Sequence, residues 1–193
     1  MHAALRILVV SCTLLVAACS GLSLDGKTPR SLDFLNNDVS GLLLAFDLPA
    51  ALEPVDGESI LRLDLVSPDA GERHIAAVLV PATSGELAGT LPAPADQRSY
   101  YLFQLSADDQ AQIAEAQAWG RSLPQGSVRL DASLSPRLCR IGEIDPDKLR
   151  ISVLATLPGA ASGLSPLIAN QPLRELLKAD ATSNVPRCAG HSG

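Results

Sequence analysis

Aromatic side chains are scarce in this chain of 193 residues, which has three Phe, two Tyr and one Trp. Any core must therefore be built from Leu, Val, Ile and Ala, and a sugar-binding surface of stacked rings is disfavoured. Lysine occurs only at Lys27, Lys148 and Lys178. No basic cluster breaks the even scatter of charge, and the net charge is −6, so nucleic acid is not an expected partner. Histidine is nearly absent from the body of the chain. His74 lies there alone, and His191 lies near the end. There is no G-x-S-x-G, no H-E-x-x-H, no P-loop and no G-x-G-x-x-G, which removes the commonest hydrolase, zinc-peptidase and nucleotide-binding signatures. Nor is there an apolar run of about 20 residues, the length needed to span a bilayer.

What is present begins at the N-terminus, MHAALRILVVSCTLLVAACS. Arg6 precedes an apolar run from Ile7 to Ala18, too short to span but suited to the core of a secretory signal. Small residues, Ala17 and Ala18, stand before Cys19. Val16-Ala17-Ala18-Cys19 resembles the lipobox of bacterial lipoproteins. The resemblance covers about 20 residues. It implies a signal peptide over 1–18, cleavage before Cys19, and acyl lipid, palmitate included, attached at Cys19. Ser20 would then be the second mature residue, which is similar to the class sorted to the outer membrane. The implied location is the periplasmic face of the outer membrane, with the membrane itself as partner through the lipid. One acyl chain binds a bilayer only reversibly, whereas two or three make attachment stable.

Cysteine use agrees with export. Cys12 falls within the signal and Cys19 would carry lipid, which leaves Cys139 and Cys188. In an oxidising compartment two remaining thiols are expected to pair, closing a loop of about 50 residues for roughly 4 kcal/mol in the chain-entropy model. The alternatives are two free buried thiols or a reactive pair. No CxxC spacing or neighbouring histidine supports a metal site, and no cofactor is implied.

Residues 19–37 read as a lipidated tether, polar with Gly and Pro. From Asp38 the pattern is one of strands. Residues 39–48 are apolar on both faces, as in a central strand, and end at Pro49. Residues 60–66 alternate, with Leu61, Leu63 and Leu65 facing one way and Arg62 and Asp64 the other. Further strands are expected over 73–81, 86–91, 98–105 and 127–134. A hairpin is expected between 138–144 and 149–157, around Asp145-Pro146-Asp147-Lys148. Ser106 followed by Asp108 and Asp109 signals a helix start, with Ile113, Ala114, Gln117 and Ala118 near one face and Gly120 as the stop. Ser165-Pro166 and Asn170-Gln171-Pro172 read as helix starts, with a short helix over 173–179. The expected fold is mainly β: a single immunoglobulin-like antiparallel β-sandwich over 38–180 with one inserted helix, a short C-terminal helix and a tail over 181–193.

The remaining acids offer little convergent chemistry. Glu143, Asp145 and Asp147 could in principle gather around calcium, but Lys148 follows them and the EF-hand glycine and distal glutamate are missing. His74 reads as a surface histidine and not as a catalytic base. The expectation is a non-enzymatic binding or assembly module of the cell envelope with an envelope protein as partner. Two alternatives stand beside it: a small-ligand or lipid carrier, and a hydrolase using dispersed carboxylates.

Overall fold

Period-two alternation sets the strands. In a computed structural model describing residues 22–23, 33–83, 91–157, 164–179 and 184–190, β4 (Ile60–Ser67) buries every second side chain, Leu61, Leu63 and Leu65 among them. The other named strands are β1 (Leu22–Ser23), β2 (Leu43–Pro49), β3 (Leu52–Pro54), β5 (Gly71–Pro81), β6 (Arg98–Leu105), β7 (Arg129–Ser135), β8 (Leu138–Arg140), β9 (Arg150–Thr156) and β10 (Ser165–Pro172). The helices are α1 (Ala107–Ser122) and α2 (Leu173–Ala179).

The mainly-β, antiparallel expectation holds. Eight strands hydrogen-bond in the order β1-β7-β4-β5-β6-β2-β9-β10, a curled sheet, and β3 pairs with β8 in a separate ribbon. The curl passes through β5. Its residues from Gly71 to Val78 pair with β4, whereas Leu79, Val80 and Pro81 pair with β6. Its alternate residues Ile75, Ala77 and Leu79 face one shared core with Leu44, Phe46 and Leu48 of β2 and Ile151, Val153 and Ala155 of β9. As expected, β2 is central: it lies between β6 and β9, with Leu44, Ala45 and Phe46 all buried. Phe46 packs on Phe103 with ring centroids 4.8 Å apart. Arg98 closes this side of the sheet, its Nε donating to Asp47 Oδ1 at 2.6 Å and its other nitrogens to the Asp47 and Arg150 carbonyls.

Helix α1 starts where its signal stands. Ser106 accepts from the Asp109 amide at 3.1 Å, and Asp108 and Asp109 occupy the first turn. Its end corrects the reading of Gly120 as a stop. Gly120 is helical and buried, and a Cβ there would come within 2.8 Å of Leu35 Cδ1, so it permits a close approach. The helix ends at Leu123, the residue before Pro124, because a residue preceding proline is driven out of the helical region. The buried face is Ile113, Ala116, Gln117 and Gly120; Ala114 and Ala118 are exposed.

The predicted hairpin is also corrected. The turn at 145–148 exists, with the Lys148 amide donating to the Asp145 carbonyl at 3.0 Å. The flanking strands do not pair, however: β8 takes β3, and both edges of β9 are filled by β2 and β10. Ser165-Pro166 opens β10 and not a helix, with Pro166 at the sheet edge where its missing N–H costs least. The strand expected over 86–91 falls almost wholly outside the described residues, as does Cys19.

Candidate functional site

The last described stretch, residues 184–190, lies against β8. Arg140 and Arg187 form an isolated parallel bridge, the Arg140 amide donates to the Pro186 carbonyl at 2.8 Å, and the Cys188 amide donates back to the Arg140 carbonyl at 3.0 Å. The Cys139 and Cys188 sulfurs are 2.07 Å apart, at disulfide distance, across 49 residues of sequence. The two cysteines expected to pair are thus brought together, and the segment read as tail is held by backbone bonds as well as by sulfur.

This stretch forms one wall of an apolar groove. Residues 134–138, from the end of β7 into β8, form the second wall, and Leu173, Leu176 and Leu177 of α2 form the third. The groove encloses about 60 Å³. By the space one water needs, that is room for about four waters. Leu134, Leu173, Leu176 and Val185 are buried in its floor and sides. Arg137 and Asn184 supply the charged and amide groups of the lining. Sequence reasoning missed the groove because its walls come from three segments far apart in the chain. The one local signal was the leucine-rich helix 173–179.

The predicted polar candidates do not converge there. Glu143 accepts from Arg140 at 3.1 Å and from Arg187 at 2.9 Å, and Arg187, then Arg140, holds its carboxyl below the ordinary range. Asp145 pairs with Lys148, whose hydrogen bond is the main cause of its lowered pKa, and Asp147 pairs with Arg174. Each acid of the proposed calcium set is therefore engaged by a cation. Among the described residues, the one group of possible metal ligands within 4.8 Å of one another is Glu53, Cys139 and Cys188, and the two sulfurs there are joined to each other.

His74 stands on the exposed face of the sheet, in register with Asp64, which is in turn in register with Asp131. Its Nδ1 lies 2.6 Å from Asp64 Oδ1 and its Nε2 lies 3.2 Å from Glu72 Oε1. The Asp64 hydrogen bond, then that of Glu72, raises its pKa. Both ring nitrogens thus face carboxylates. Asp108 and Asp109 remain helix-start residues. Tyr100 and Tyr101 are half-buried in β6, and Phe103 is buried. Among the described residues no helix is long and apolar enough to cross a membrane. Compared with known proteins, the chain matches no family model, no curated protein and no solved structure.

Proposed function

We propose that this chain is a lipid-anchored protein of the cell envelope, held through acyl chains on Cys19 at the periplasmic face of the outer membrane. Its domain is a non-enzymatic binding or assembly module with an envelope protein as partner. The anchor rests on Val16-Ala17-Ala18-Cys19 and the apolar run before it. What supports the non-enzymatic part is that the three acids considered as a metal set, Glu143, Asp145 and Asp147, are each paired with a cation. The groove favours a module over a carrier. Its 60 Å³ is far below the roughly 300 Å³ and more of small-molecule sites.

The two halves of the curled sheet are read here as facing layers of an opened sandwich. What supports this is the change of partner along β5 and the single cluster of buried residues shared by both halves. An immunoglobulin-like strand order is a narrower claim, and the order β7-β4-β5-β6-β2-β9-β10 does not supply it.

The test is fractionation of cells expressing the full chain, with mass analysis of the N-terminal peptide. The expected result is an acylated Cys19 in the outer-membrane fraction and release of Cys19→Ala in soluble form. A peptide without acyl mass would end the anchor reading. Crosslinking in intact cells then tests the module: one repeated protein partner is expected, and a turnover activity from the purified domain would count against it.

A further inference from the structure

We propose that the apolar groove seats the first methylenes of an acyl chain carried by this chain's own Cys19, an inference that rests on the lipid-anchor reading. The described chain begins at Leu22, whose backbone is partnered with Leu134, and Ser23 with Ser133. The pair is antiparallel, so stepping back from Leu22 corresponds to stepping forward from Leu134 to Ser135, Pro136 and Arg137. Those are groove residues. Cys19 lies three positions before Leu22. Three extended residues reach at most about 11 Å, and antiparallel partners are separated by about 5 Å. A chain of that length from Leu22 can therefore reach the groove residues that follow Leu134.

The groove has the chemistry such an occupant needs. Leu173, Leu176 and Val185 offer aliphatic walls, with exposures of 1%, 6% and 6%. Space for about four waters suits a short stretch of one chain, and the remainder would enter the bilayer. Arg137 stands at the rim in a loose 3.7 Å pairing with Glu58. Its N–H groups, with the Asn184 amide, can donate to the ester carbonyls of a diacylglycerol. Tethering also favours this chain over a free competitor. A group fixed within such a radius has a high effective concentration at the groove. Seating would hold the α2 end of the domain against the membrane instead of leaving it on a loose leash.

The test uses the full chain in a Gram-negative cell fed a fatty acid with a photoreactive diazirine near its carboxyl end. Intact membranes are irradiated, and the digested protein is analysed by mass. The expected crosslinks join the acylated N-terminal peptide to α2 or to residues 184–186 of the same molecule. Leu177→Trp, which fills the groove, is expected to reduce them several-fold with the acyl mass unchanged. Insertion of about a dozen Gly and Ser residues after Ser20 is expected to reduce them too, and it leaves the folded core untouched. Acylated N-terminal peptide whose crosslinks fall only on phospholipid, other proteins or other faces of the domain overturns the proposal and leaves the anchor standing. Phospholipid mass in the groove peptides assigns the groove to a bilayer lipid and likewise overturns it. Absence of acyl mass on Cys19 overturns both, and the mass of the N-terminal peptide tells that case from the others.

Discussion

Gln117 is a polar residue on the buried face of α1, and its side-chain nitrogen donates to the Phe34 carbonyl at 2.6 Å and the Asn37 carbonyl at 2.8 Å. It joins the helix to the turn that leads into β2. Arg121 adds a third bond, to the Leu35 carbonyl at 2.9 Å. Gln117→Leu keeps the volume but removes both bonds, one of them to the carbonyl of the buried Phe34. A loss of about 2 kcal/mol in urea unfolding is expected, and an unchanged midpoint would show that those carbonyls find other partners. His74 gives a prediction in pH. Its pKa is raised in the fold above the ordinary 6.5 by Asp64 and then Glu72. A raised pKa means that the folded state binds the proton more tightly. The contribution is therefore complete below the ordinary value and is lost as pH rises through the raised one. Asp131 on the neighbouring strand adds to the negative surroundings, and Arg129 partly offsets it through its 3.0 Å pairing with Asp131. Melting temperatures of the wild type and His74→Gln should converge as the pH increases from about 5.5 to about 8.5. Parallel curves would remove His74 from the account. The His74 cluster was legible only in part: alternation placed Asp64 on the outer face, but nothing local says which strand lies beside it.

At the level of elements, the C-terminal stretch depends on one cross-link and a few backbone bonds. A bridge across 49 residues should stabilise the fold by about 4 kcal/mol through the entropy of the unfolded chain. Cys139→Ser with Cys188→Ser is expected to lose that amount. It should also speed hydrogen exchange at the Arg140 and Cys188 amides, which bridge the two segments. Slow exchange at both amides in the double variant would mean that the backbone bonds suffice. The groove would feel the same change, since residues 184–186 form its wall. Two element boundaries show how local signals compete. Gly120 and Pro124 both carry breaker chemistry, and only Pro124 ends α1, because a glycine in a helix costs about 1 kcal/mol while proline clashes outright. The turn at 145–148 was readable from Asp-Pro-Asp, yet turn chemistry closes a bend without dictating that its arms pair.

For the whole molecule, β5 is the seam between the two halves of the sheet. Leu79 sits where its pairing passes from β4 to β6 and is fully buried. Leu79→Ala should cost about 3 kcal/mol through the cavity it leaves. Because both halves share one core, their amides should lose protection together in hydrogen exchange. Loss confined to the β7-β4 side would show that the halves unfold separately. The first described strand, β1, lies at the sheet edge beside β7, and its partner Leu134 also lines the groove.

The sequence by itself determined which residues face inward along β4, where α1 begins and that the body is mainly β. Side-chain alternation and helix capping are written in residues a few positions apart. The resemblance of Val16-Ala17-Ala18-Cys19 to a lipobox is equally local, and the anchor remains the proposal it supports. Only the tertiary structure decided that β8 joins β3 and that β10 is a strand. It alone assembled α2, the end of β7 and the last described stretch into a groove. The reason is physical. Backbone hydrogen bonds are the same for every residue, so a strand's sequence tells which face is buried but not which strand lies beside it. That choice is settled by how all the apolar faces can be covered at once.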